Sequence, residues 1–350
     1  MEDKLCVKDK GDRLIFIEFL RIIACFLVIV NHTNSRIFLG TTPSVLWGTS
    51  LAYFYISKIA VPLFIMITGY TMLDRQDSYK KIFYKLFKMI GILVGFSLVY
   101  YTYDCVYENI GQFNLIQFFS FIVHGPITNA YWYLYLYIGI IFMMPFLQKL
   151  VSSLEKKDYH FYFLVSGVFC GVWPIVVHYF PFLYYTDYFM IPVYNSYIFM
   201  LLLGAYLKKY YIYSLKWRNI CIITFITICM LNVGLTYNEY IKNDGVKYLF
   251  FDDRTLLPII AASFCVFYIV RTLNFSEKIS KIAVIFGNLT FGIYLCSDFI
   301  IHRLDNLYYT LVSNGLYPMI AMVIFQIIIF IIGTIVTFII KKIPILKKLI

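Results

Sequence analysis

The 350-residue chain is 61% hydrophobic and 14% charged, with a mean hydropathy of +0.77. A soluble domain is roughly a quarter charged, so this chain lacks the polar surface that water requires, and lipid must be its solvent. Its net charge of +11 is spread over many short loops rather than gathered on one face, so anionic membrane lipid suffices as its partner and no nucleic acid is called for.

Residues 1–13 are polar and charged. The apolar stretch after them is long enough to span a bilayer and lacks a small-residue cleavage site, which predicts that it stays in the protein as its first helix. Stretches of spanning length follow in order at 14–33, 51–73, 86–107, 130–148, 161–180, 190–207, 219–236, 255–273, 283–302 and 318–340, which makes about ten transmembrane helices. Residues 114–124 are apolar but too short to cross, and are expected to form an interfacial or re-entrant piece. No Pro/Gly/Ser-rich linker, low-complexity run or usable repeat interrupts the pattern. The expected architecture is all-α and polytopic, a single transmembrane domain over residues 1–350.

Lysine and arginine accumulate in cytoplasmic loops, so their distribution orients the chain. With the N-terminus inside, the basic residues near 1–13, 74–88, 149–157, 208–218, 271–281 and 341–348 share one face. The opposite face keeps Arg36, Lys242, Lys247, Arg254 and Arg303, and only Arg21 and Lys58 fall within spans. The expectation is that both termini are cytoplasmic. The cysteines (Cys6, Cys25, Cys105, Cys170, Cys221, Cys229, Cys265, Cys296) form no CxxC and no Cys/His ligand pattern, so they read as buried free thiols and no metal is expected. Tyr and Phe dominate the 20% aromatic content, which suits interfacial belts and packed helix faces.

Ionisable residues inside a span are costly, about 2.5 to 3.5 kcal/mol each at mid-helix on insertion scales, so a cluster of them is a functional candidate. The first span carries one: Glu18, Arg21 and His32. Eleven residues return an α-helix to within about 20° of the same face and advance it roughly 16 Å, so one polar stripe runs most of the way across the membrane. A guanidinium held by Glu18 can orient an anionic group arriving from the cytoplasm. A histidine at the far end is suited to take a proton from a hydroxyl near neutral pH. A snorkelling Glu18–Arg21 ion pair, with His32 capping the helix, explains the stripe equally well on geometry alone.

An Arg followed by ten residues and a His, Arg21 to His32, resembles the first-span signature of acyltransferase family 3, integral membrane O-acyltransferases that modify exported or cell-envelope glycans. Val61 to Tyr70, ending Thr68-Gly69-Tyr70, resembles the family's second-span motif; Trp132-Tyr133-Leu134 with Met144-Pro145 resembles its fourth-span element and the proline that closes it; Phe291-Gly292-Ile293-Tyr294-Leu295 resembles its late Gly-Ile-Tyr-Leu element. Glu18 stands where members often carry Asp, and Lys85 and Lys88 where some carry two arginines. The late histidine of many members is replaced by Ser297, with Asp298 and His302 close behind.

The resemblance implies a catalytic role for His32 as general base, with Glu18, and a donor or substrate role for Arg21, Lys85, Lys88, Trp132 and Tyr133, with Tyr70 in support. Lys58, about two turns into the second span at a depth comparable with His32, is a further substrate-site candidate, with a snorkelling or carbonyl-bound lysine as the alternative. Asp298 and His302, four apart on one helix face, would pair or support a site. No cofactor would be permanently bound. Acyl-CoA would be the co-substrate, and an acetyl or similar acyl group would pass to a hydroxyl of a cell-envelope or exocellular polysaccharide, or its lipid-linked precursor, at the bacterial plasma membrane. Plain positive-inside charge also accounts for Lys85 and Lys88, and the outer-loop Asp252-Asp253-Arg254 reads as solvated unless its loop folds over the acceptor. The rival reading is a transporter or flippase for an acyl group or lipid-linked glycan, although no repeated halves are visible.

Overall fold

A computed structural model describes residues 14–108, 111–184, 195–210, 212, 214–243, 245 and 249–347. Among them the regular structure is helical throughout, as it must be where lipid offers the backbone no hydrogen bonds. The chain runs α1 (Ile15–Thr33), α2 (Ser35–Leu39), α3 (Val45–Ser57), α4 (Ala60–Met72), α5 (Tyr79–Tyr107) and α6 (Leu115–His124). It continues with α7 (Trp132–Ser153), α8 (Lys156–Ser166), α9 (Trp173–Tyr179), α10 (Ser196–Lys209), α11 (Leu215–Asn243) and α12 (Leu257–Arg271). The last described helices are α13 (Glu277–Gly287), α14 (Thr290–Arg303), α15 (Asp305–Ser313) and α16 (Pro318–Ile340).

Among the described residues eight helical stretches are long and apolar enough to cross a membrane, and nine if α13 and α14, bent by 56° at their junction, count as one span. These match nine of the stretches read from hydropathy. The remaining one, 190–207, corresponds to α10, whose 14 described residues are preceded by 185–194, outside the described set. The apolar piece at 114–124 is α6, a ten-residue helix. Pro145 does not close its span as expected: α7 runs through it to Ser153, although the proline removes the backbone bond that would reach the Ile141 carbonyl.

Helix α1 lies in the middle of the bundle, packed against α3, α4, α12, α13, α14 and α16. Small residues let the helices around it approach. A Cβ on Gly69 of α4 would fall 1.9 Å from the Leu201 carbonyl oxygen of α10, and one on Gly204 of α10 would fall 2.1 Å from that of Met66. The two backbones therefore touch through their glycines, the close approach that drives helix association in lipid.

Polar groups fix the ends of α1. Gln326 of α16 donates to Thr33 Oγ1 at 2.9 Å and accepts from the Tyr53 hydroxyl of α3 at 2.9 Å. Asn34 donates to the Ser50 carbonyl at 2.5 Å. Beside the other end of α1, the α13–α14 junction is itself tied to the residue after α16, with Lys341 Nζ donating to the Asn288 carbonyl at 2.5 Å. Between α3 and α4 the helix opens at Lys58 because Pro62 has no N–H for the Lys58 carbonyl.

Candidate active site

Two cavities lie end to end along α1. The first, of about 690 Å³, opens at the lysine-rich end and is lined by Glu18 and Arg21 of α1, Thr68 and Thr71 of α4, Arg75, Lys85 and Lys88, Tyr133 and Tyr137 of α7, and the α13–α14 junction. Arg21 Nη1 donates to Glu18 Oε1 at 3.1 Å; Glu18 is 3% exposed and Arg21 35% exposed, so the carboxylate is the fixed member. Gly287 makes that fit, since a Cβ there would stand 2.1 Å from Glu18 Oε2.

The lysines are organised by the loop between α4 and α5. Asp77 receives Lys81 Nζ on Oδ1 and Lys85 Nζ on Oδ2, each at 2.6 Å. Burial works against the carboxylate, but the hydrogen bonds and charges of the two lysines prevail and hold Asp77 down at about 2. Gln148 of α7 clasps the loop, accepting from Asp77 N at 3.1 Å and donating to the Met72 carbonyl at 2.9 Å. Among the described residues Arg75 and Lys88 have no carboxylate partner, so both can meet an anion in this cavity.

The second cavity, of about 90 Å³, lies at the His32 end and is lined by Asn31, His32, Ser57, Lys58, Trp132, Tyr133, Asp252 and Arg254, with Val61, Phe64 and Tyr294 among its apolar walls. Lys58 projects here because α3 and α4 part at that residue. Its Nζ is 3.1 Å from Asp252 Oδ2 and 3.9 Å from the centre of the Phe54 ring. Arg254 stacks its guanidinium 4.0 Å above Trp132. Asp253 Oδ1 accepts from both the backbone N–H and the hydroxyl of Thr255 at 2.8 Å, which shapes the turn that delivers these two charges. The Asn31 side-chain oxygen is buried with no donor among the described residues.

Among the described residues Asp298, Lys58, His302 and Arg254 are titratable side chains that act on His32 through space. Asp298 accepts from the Thr128 hydroxyl. His302 Nδ1 lies 2.8 Å from the Asp298 carbonyl oxygen, to which it must be the donor, and 3.7 Å from Asp298 Oδ2.

Phe64, Tyr133 and Tyr294 line both cavities and form the wall between them. Tyr133 stands 5.9 Å from Phe64 and 6.0 Å from Tyr294, centroid to centroid, which is contact distance for aromatic rings. Reciprocal hydrogen bonds fix the wall: Tyr294 donates to the Ala130 carbonyl at 2.6 Å and Tyr131 to that of Leu295 at 2.8 Å.

The structure divides the residues read from sequence. Arg21, Glu18, Lys85 and Lys88 meet in the first cavity; Lys58 and Trp132 belong with His32 in the second; Tyr133 touches both. Tyr70 lines neither, and packs edge-on to Phe16 at 5.4 Å within the core. Asp252 and Arg254 are not solvated loop residues as expected, because their loop folds over the His32 cavity and neutralises Lys58. Arg75 and Thr128 were not singled out as site residues from sequence, and Phe64 and Tyr294 were named only within family-like motifs.

The fold and the site together are those of a multi-pass helical membrane protein with charged cavities at the two ends of one polar helix stripe. The family model described as an acyltransferase domain matches residues 14–342, nearly the whole chain, and the protein belongs to that family, acyltransferase family 3. It is therefore a membrane acyltransferase, acting between an acyl donor and an acceptor. No curated protein and no solved structure gives a match.

Proposed function

We propose that the protein takes an acyl group, acetyl foremost, from acyl-CoA in the 690 Å³ cavity and delivers it to a hydroxyl of a cell-envelope or exported glycan, or its lipid-linked precursor, at the His32 cavity. The observation that carries this reading is the separation of Arg21 and His32 along α1: Arg21 opens into a cation-rich cavity, His32 into a small polar one, and an aromatic wall lies between them. The lysine-rich end faces the cytoplasm. There Arg21, Arg75, Lys85 and Lys88 supply the charge that CoA phosphates require, and the thioester points along α1 toward the wall.

His32 takes the proton of the acceptor hydroxyl as its oxygen adds to the thioester carbonyl. Collapse of the adduct breaks the carbon–sulfur bond, and the imidazolium returns the proton to the leaving thiolate, leaving an ester and free CoA thiol. Lys58, held by Asp252, is the cation placed to steady the negative charge that develops on the carbonyl oxygen. Asp298, near His32, is the anion that complements the imidazolium formed during the step. The outer half of the bundle then belongs to the acceptor, at the plasma membrane surface away from the cytoplasm.

The test is turnover of acetyl-CoA by purified protein in nanodiscs with envelope polysaccharide as acceptor, comparing wild type with His32→Ala and Arg21→Ala. The reading requires that His32→Ala abolish transfer while folded and that Arg21→Ala raise KM for the thioester. Identical behaviour of all three would make the stripe structural and turn attention to transport.

A further inference from the structure

We infer that Phe64 limits the length of the acyl group this enzyme transfers, favouring short acyl groups over longer ones. The inference rests on the donor reading above. It follows from two observations, the wall and the volume beyond it.

An acyl group carried by a donor in the first cavity reaches the His32 side only past Phe64, Tyr133 and Tyr294, since these three side chains line both cavities. Their centroid separations of 5.9 and 6.0 Å are those of rings in contact. Beyond them the cavity measures about 90 Å³. A space of this size holds only a few small groups, and the acceptor hydroxyl has to share it, so a short acyl group is accommodated more readily than a long one. Each further methylene asks for more room, and the walls that would have to yield are rigid: interiors are close-packed, and Trp132 is held beneath Arg254 at 4.0 Å.

Of the three wall residues Phe64 is the one whose size alone matters. Tyr294 is committed through its hydroxyl to Ala130 at 2.6 Å, and Tyr133 is held between Phe64 and Tyr294 and stacked on Tyr137 at 6.1 Å. Phe64 contributes only a hydrocarbon ring, from a position on α4 one turn beyond Ala60 and Val61, which line the second cavity. Trimming it enlarges the His32 cavity and widens the passage without leaving a polar group unpaired.

The experiment measures kcat/KM for acetyl-, propionyl-, butyryl- and hexanoyl-CoA with wild type, Phe64→Leu and Phe64→Ala in nanodiscs, with thermal unfolding recorded for each. A methylene that does not fit its pocket costs about tenfold or more, so wild type is expected to lose at least about tenfold between acetyl and butyryl. The ratio of the butyryl to the acetyl value should rise by about tenfold in Phe64→Ala, with Phe64→Leu between the two. Acetyl turnover with no dependence on chain length, or an unchanged ratio in both folded variants, overturns the inference and leaves the donor reading standing. Absence of turnover with every thioester overturns both. Phe64→Leu, which keeps an apolar side chain in the core, decides the matter if Phe64→Ala does not fold.

Discussion

Lys58 and Asp252, 194 positions apart in sequence, meet at 3.1 Å beside the His32 cavity. Lys58 is 13% exposed and Asp252 36%, so the lysine is the member that depends on the pair. An ammonium at this depth without a counter-charge is costly, and removing one partner of such a pair is worse than removing both. Asp252→Asn is expected to lower stability by about 1 to 3 kcal/mol, and the double variant with Lys58→Met to recover most of it. Thermal unfolding in detergent measures both; equal losses in the single and double variants would show that the pair is not coupled. Under the proposed mechanism Asp252→Asn also lowers kcat more than it raises KM for acyl-CoA.

The same pair shows how far the sequence could be read. The stripe Glu18–Arg21–His32 was legible because helical periodicity alone places three residues of one span on one face. Lys85 and Lys88 were legible as charge, but positive-inside loops carry such charge everywhere, so their convergence with Arg21 and Arg75 needed the packing of α1, α4 and α5. Lys58 was conspicuous as an intramembrane cation, and an intramembrane cation calls for an anion. Asp252 and Asp253 sit just before a span on a face poor in charge, and that was the available signal; nothing local said that their loop turns inward. Phe64 and Tyr294 were visible only as members of family-like motifs, and nothing in a chain with 34 Phe and 33 Tyr said that their rings meet Tyr133.

Gly287 is expected to tolerate no side chain without disturbing donor binding. A Cβ there meets Glu18 Oε2 at 2.1 Å and Glu18 Cβ at 3.0 Å, and the 3% exposure of Glu18 leaves its carboxylate little space to retreat. Gly287→Ala should break the 3.1 Å contact with Arg21. Loss of one charge-assisted hydrogen bond is worth about 1.5 to 3 kcal/mol, which predicts a rise in KM for acyl-CoA of roughly tenfold or more at nearly unchanged kcat. A fall in kcat at constant KM would place Glu18 in the chemical step instead.

Asp77 gives the loop between α4 and α5 a defined acid sensitivity. Its carboxylate is held at about 2, below the ordinary value near 3.9, so the folded state binds this proton less readily than the unfolded state. The stability it contributes is complete above about pH 4 and is lost as pH falls toward 2. Wild type should therefore lose stability across that window, and Asp77→Asn should start lower and lose less over the same range. Unfolding midpoints in detergent between pH 2 and 5 decide this. The same variant releases Lys81 and Lys85, and salt should then weaken acyl-CoA binding less steeply if Lys85 no longer stands where the cavity needs it.

Gln326 should matter to the chemistry although it touches neither cavity. Its amide joins Tyr53 of α3 to Thr33 of α1, each bond at 2.9 Å, and Thr33 follows His32 directly. The amide is fully buried, so Gln326→Leu leaves the Tyr53 hydroxyl without its acceptor and frees the end of α1 that carries His32. Interhelical hydrogen bonds in membranes average about 0.6 kcal/mol and reach about 1.7, so the loss of stability should be small, about 1 kcal/mol. The loss of kcat should be larger in proportion, because a general base displaced by an ångström loses much of its effect. Tyr53→Phe, which keeps the bond from Gln326 to Thr33, should retain most of the activity. If Tyr53→Phe and Gln326→Leu reduce kcat equally, the control of His32 runs through α3 rather than through Thr33.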